Sequence, residues 1–129
     1  MSNHITNTYK ESTHLLKAMA HPVRLAILDI LLKNEEECVC HLEAVLGYRQ
    51  AYLSQHLMAL REAGLVVDRR EGRNIFYRIR SPDLLRFASQ VLTVGGSHLL
   101  PADFNAITCT CPKCTQKSPE LIEEAKEKI

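Results

Sequence analysis

The 129-residue chain has no stretch of about 18 uninterrupted apolar residues, so no membrane-spanning helix is expected. Its N-terminus, Met-Ser-Asn-His-Ile-Thr, lacks the basic-then-apolar pattern of a secretion signal, and a cytoplasmic protein is the expectation. There is no internal repeat and no low-complexity run. Also missing are a phosphate-cradling glycine-rich loop, a paired-carboxylate pocket and a Cys-x-x-Cys placed ahead of a βαβ unit, although Cys111-Pro-Lys-Cys114 has that local spacing. These absences weigh against an enzyme such as a thiol-dependent oxyanion reductase, and no catalytic residue is assigned. What is present, 46% hydrophobic residues, is one domain's worth of core in a chain small enough that a partner subunit would help. A homodimer is expected.

The five cysteines fall into two tight clusters, Cys38 and Cys40 in Glu37-Cys-Val-Cys-His41, and Cys109, Cys111 and Cys114 in the tail. In a reducing compartment they are poor material for structural disulfides, and an odd number cannot all pair within one chain. Metal binding or thiol chemistry is the leading use. Charge is also uneven. Residues 49 to 80 hold seven arginines against Glu62, Asp68 and Glu71, a net +4, while the remainder carries −3. A basic middle in an otherwise acidic chain is an electrostatic footprint for a polyanion. A salt-bridged surface would have the same composition.

Hydrophobic spacing predicts a mainly α protein with a small β-hairpin. A weakly amphipathic helix is expected over residues 8 to 19. A second starts at Pro22, with Val23, Ala26, Ile27, Ile30 and Leu31 on one face, and ends near Lys33-Asn34. Val39, Leu42, Val45 and Leu46 give a short third helix that stops at Gly47; a fourth runs from about Gln50 to Ala63 with Leu53, Leu57 and Leu60 inward. The short Gly47-Tyr48-Arg49 connection makes this pair a helix-turn-helix candidate. Leu65 to Arg70 and Ile75 to Ile79, around the turn Glu71-Gly72-Arg73-Asn74, spell a hairpin. Ser81-Pro82-Asp83 opens a fifth helix whose apolar surface is wider than one face needs, leaving part of it for a second subunit. The expected organisation is a winged helix-turn-helix and dimerisation domain over 1–97, then a cysteine-containing tail over 98–129 with a short helix after Ser118-Pro119-Glu120.

A helix-turn-helix followed by a basic hairpin reads as a winged helix. Inward leucines leave Ala51, Tyr52, Ser54, Gln55 and Met58 on the outer arc of the fourth helix, where Ser and Gln can hydrogen-bond base edges in the major groove. Arg69, Arg70, Arg73 and Asn74 at or near the hairpin tip, with Arg49 before the helix, are suited to phosphates or the minor groove. An interaction domain using the same fold against protein is the alternative.

The run Leu53-Ser-Gln-His-Leu-Met-Ala-Leu-Arg-Glu-Ala-Gly-Leu-Val66, with Arg69-Arg-Glu-Gly-Arg73, Tyr77-Arg-Ile79 and the upstream Ala20-His-Pro-Val-Arg-Leu-Ala-Ile-Leu28, resembles the ArsR/SmtB family of metal-responsive repressors over roughly residues 12 to 92. The resemblance implies a homodimeric winged-helix repressor that occupies an operator when ion-free and leaves it on binding; a two-fold dimer is expected to read a pseudo-palindrome. It makes Gln50, Ser54, Gln55 and His56 the matching contact candidates. His56 as a packed residue at the helix flank is an equal reading. Glu37-Cys-Val-Cys-His-Leu42 resembles the family's Cys-Val-Cys site for arsenite, antimonite, cadmium or lead. The fifth-helix site of the zinc and nickel sensors needs a His two residues after an Asp. Here Asp83 is followed by Leu84 and Leu85, so that site is absent. The tail cysteines depart from the family's best-known pattern.

Thiolates select soft ions, so the expected effector is As(III), Cd(II), Pb(II) or Zn(II) held by Cys38 and Cys40 with one or more of Cys109, Cys111 and Cys114. Side chains at i and i+2 of a regular helix point about 200° apart, so both can face one ion only where the start of the third helix is non-helical. Other readings stay open. The tail cysteines are either a self-contained arsenite site, with Cys38 a small core residue, or a structural zinc knuckle with Cys38 or Cys40 as fourth ligand, or else the repressor senses oxidation or sulfide through Cys38 or Cys40 and a tail sulfur. His41 and His98 are possible further ligands.

Overall fold

The computed structural model describes residues 2–96, with side chains from residue 4 onward. The elements run α1 (Ser2–Thr8), α2 (Lys10–Met19), α3 (Pro22–Lys33), β1 (Glu37–Cys38), α4 (Val39–Leu46), α5 (Gln50–Glu62), β2 (Val66–Glu71), β3 (Asn74–Ile79) and α6 (Pro82–Val94). The expected tail helix and the cysteines at 109, 111 and 114 lie outside the described residues, as does His98.

The helical core follows the predicted periodicity. Ile27, Leu28, Ile30 and Leu31 of α3 and Leu53, Leu57 and Leu60 of α5 are at most 1% exposed, and they join Leu42, Leu65, Val66, Ile79, Leu84 and Ala88 in one cluster. Burying side chains of this size contributes about 1.5–3 kcal/mol each, which is what holds α5 against α3 and the sheet. Chain punctuation also follows the sequence: Ser81 Oγ accepts from Leu84 N at 3.3 Å to cap α6, and Pro82 is its first residue. At α3 the cap is less expected, since His21 Nδ1 accepts from Val23 N at 3.1 Å. The turn between α4 and α5 rests on Gly47, whose φ of 76° is left-handed and whose N–H closes on Glu43 O at 2.9 Å.

Two expectations are revised. The helix expected over 8 to 19 is α2, which starts at Lys10, and an unexpected short helix, α1, precedes it. The two meet at Tyr9, whose φ of −105° and ψ of 9° leave the α-helical basin, and α1 has only Ile5 as a large apolar residue, too little periodicity to signal itself. The hairpin gains a third strand. β1 pairs antiparallel with β3 in the order β1-β3-β2, with Cys38 opposite Phe76 and Glu37 opposite Tyr77. Within the wing, Glu71 pairs with Asn74, so the loop shrinks to Gly72-Arg73, and Gly72 at φ 62° occupies a position that favours glycine in two-residue hairpin loops.

Candidate DNA interface and sulfur pair

Helix α5 presents three stripes. Ala51, Gln55 and Met58 face outward and are exposed. Gln50 and Ser54 turn toward the wing and line a cleft of about 210 Å³ with Cys38, Cys40, Glu43, Arg73 and Asn74. Tyr52 and His56 lie on the opposite flank: Tyr48 stacks on Tyr52 at 5.1 Å between ring centroids, Tyr52 meets His56 edge-on at 4.7 Å, and His56 packs on His21 at 4.4 Å. His56 is 8% exposed and its Nδ1 accepts from Arg24 Nε at 3.1 Å, so the structure places it among packing partners rather than on the outward face.

The basic residues divide as well. Arg49, Arg70 and Arg73 are exposed and make no ion pair with a described residue, while half-buried Asn74 starts β3 beside them. Arg69 is engaged internally. Its Nε and Nη2 donate to the two Glu36 oxygens at 2.8 and 2.6 Å, its Nη1 donates to Glu71 at 3.1 Å, and its Cζ lies 4.5 Å from the Phe76 ring centroid. Those hydrogen bonds, Glu36 first and Glu71 second, hold its guanidinium even more firmly protonated than usual.

The sulfur pair sits where strand becomes helix. Cys38 has extended backbone (φ −82°, ψ 156°), is 1% exposed, and caps α4 by accepting from His41 N at 3.2 Å; Cys40 is in the first turn of that helix. Because position 38 is non-helical, the two side chains converge instead of pointing apart, and the structure joins them as a disulfide with Cα atoms 5.3 Å apart. A thiolate at Cys38 would face the positive end of the α4 dipole. His41 is buried and does not line the cleft.

The segment 21–67, from the α3 cap through α5 into β2, matches the model of the arsR family of bacterial regulatory proteins. A biofilm growth-associated repressor of Agrobacterium fabrum is 45% identical over 80 residues, 62% of this chain and 68% of that protein. The arsenical resistance operon repressor of Escherichia coli is 38% identical over 78 residues, 60% of this chain and 66% of that one. Among solved structures, a homodimeric winged helix-turn-helix DNA-binding domain from Mycobacterium bovis is 33% identical, covers 77% of this chain and 91% of its own, and superposes with a TM-score of 0.67. This chain belongs to the arsR family.

As an arsR-family protein it is a DNA-binding transcriptional regulator with a winged helix-turn-helix fold. The matched segment contains both Cys38 and Cys40 and ends before the wing tip. A thiophilic ion fits the pair in part. Two reduced sulfurs that converge offer two bonds to one soft ion, whereas As(III) takes three sulfurs and Zn(II) four ligands. Among the described residues no group of three His, Cys, Asp or Glu is arranged to hold a metal. Sequence reasoning missed the link from the sulfur pair to the wing through β1 and the diversion of Arg69 to Glu36. The acidic run Glu35 to Glu37, placed between the second helix and a chain of arginines, was the available signal for that ion pair.

Proposed function

We propose that this regulator is a cytoplasmic, homodimeric repressor that leaves a pseudo-palindromic operator when a thiophilic metal or metalloid ion, such as As(III), Cd(II), Pb(II) or Zn(II), is captured by cysteine thiolates. Residues 1–97 form the DNA-binding and dimerisation domain, and the tail brings Cys109, Cys111 and Cys114 as the further sulfurs the ion requires. The observation that carries this reading is the shared cleft: Cys38 and Cys40 line the same space as Gln50 and Ser54 of α5 and Arg73 and Asn74 of the wing. An ion that rearranges the α4 start therefore acts directly beside groups suited to DNA. A coupling of about 1–3 kcal/mol between the two sites corresponds to a weakening of about five- to 150-fold.

In the DNA-bound state α5 enters the major groove, with Gln55, Gln50 and Ser54 at base edges and Tyr52 at the helix flank, while Arg49, Arg70, Arg73 and Asn74 hold phosphates or the minor groove. His56 supports the helix from behind. The names of the Agrobacterium and Escherichia relatives favour repression over activation, and the Mycobacterium homodimer favours a two-fold arrangement. Half-sites then lie about one helical turn of DNA, or multiples, apart.

Titrating the reduced full-length protein on its operator with arsenite, cadmium, lead and zinc, alongside thiol counting, tests the reading. Release by at least one ion with loss of free thiols at Cys38 and Cys40 supports it; indifference to all four refutes it. A second reading has its own observation, the joined sulfurs of Cys38 and Cys40. Two thiols reacting with hydrogen peroxide give the disulfide and two waters, with sulfur oxidised and peroxide reduced. On that reading peroxide releases the DNA and dithiothreitol restores the complex.

A further inference from the structure

The wing shares a three-stranded sheet with the segment that carries the sulfurs, and one side chain outside the cleft ties them together a second time. Phe76 is 1% exposed, packs with Cys38 and Cys40, and is the cross-strand partner of Cys38 on one side and of Arg69 on the other. Arg69 lies over the Phe76 ring and forks onto both oxygens of Glu36, two residues before Cys38. The path therefore closes on itself: Cys38 to Phe76, Phe76 to Arg69, Arg69 to Glu36, and Glu36 back along the chain to Cys38. A bidentate guanidinium–carboxylate pair fixes relative orientation as well as distance, which a point charge does not.

We propose that Arg69 is a positioning residue rather than a phosphate contact, and that its fork on Glu36 makes the orientation of the wing follow the state of the sulfur pair. A change at Cys38 and Cys40 shifts the β1–α4 junction, and the fork and the Phe76 contact carry that shift into β2 and so to Arg70, Arg73 and Asn74. The exposed pair adds little to global stability, because solvent screens it. Its effect is on which wing orientation the dimer holds. This inference rests on the proposed release by thiophilic ions for its second readout, while its first is independent of any ion.

The test uses reduced full-length protein, with Arg69→Gln, Arg69→Lys and, as a phosphate-contact control, Arg73→Gln. Operator affinity is measured across a salt series, with and without cadmium. The expected slope of log affinity against log salt is that of the wild type for Arg69→Gln, whereas Arg73→Gln loses about 1. The ratio of affinities without and with cadmium is expected to shrink by about two- to thirty-fold in Arg69→Gln. Arg69→Lys is expected to behave like Arg69→Gln, because it keeps the charge but not the fork. A slope that falls by about 1 in Arg69→Gln, or a cadmium ratio that stays at the wild-type value, overturns the inference. Should cadmium and the other thiophilic ions fail to release the wild type, the effector reading falls instead, and the salt slope alone decides whether Arg69 positions the wing or contacts phosphate.

Discussion

His56 shows how one side chain can be bound to a single protonation state by its neighbours. Its Nδ1 accepts from Arg24, so the ring is neutral when that bond is made, and its pKa is lowered by burial first, then by His21 and Arg24. A histidine depressed in the folded state is protonated first in the unfolded chain. Its contribution to stability is complete above the ordinary imidazole value of 6.5 and drains away as pH falls below it. The urea midpoint of the wild type should therefore fall between about pH 7 and about pH 5 by more than that of His56→Gln. Equal falls would show that His56 carries no such linkage. On the outward stripe, Gln55→Ala should cost about 1–3 kcal/mol of operator binding and relax preference at one base pair. Arg73→Ala should weaken all sequences alike and reduce the salt slope by about 1. Competition binding against single-base operator variants separates the two behaviours.

Elements differ in how much of themselves they announce. Helices α3, α4 and α5 were legible because their apolar residues recur at helical spacing and their ends carry Pro22, Gly47 and Gly64, all local signals. The wing was legible as two β-rich runs around Gly72, and its loop was too generous by the Glu71–Asn74 pair. β1 was not legible: two residues cannot show alternation, and the strand exists only because β3 supplies its partner. The sulfur site was half legible. Spacing demanded a non-helical start to α4, and Cys38 has that conformation, but nothing local pointed to Phe76 or Arg69 as neighbours. The turn between α4 and α5 yields its own prediction. At φ 76° Gly47 meets no atom within 4 Å of an added Cβ, so Gly47→Ala costs only the left-handed backbone penalty, about 1–2 kcal/mol by denaturant midpoint. A larger loss would mean that α5 also shifts.

At the scale of the whole molecule, large apolar side chains remain outside the core: Ile5 on α1, Tyr9 at its junction with α2, Leu16 on α2, and Phe87 and Val94 on α6. Cover by a second copy is consistent with the proposed dimer. Phe87→Glu should yield a monomer by sedimentation and, since a monomer engages one half-site, weaken operator binding by about a hundredfold or more. A variant that stays dimeric would place the interface elsewhere. In such a dimer each sulfur pair lies beside α5 and the wing, so chemistry at the α4 start reaches both elements proposed to face DNA through one cleft. The most direct measurement is the ratio of operator affinities of the reduced dimer without and with a thiophilic ion, compared between the wild type and Cys38→Ser/Cys40→Ser. The account predicts a ratio of about five- to 150-fold for the wild type and close to one for the double variant. Equal ratios in the two proteins would contradict it.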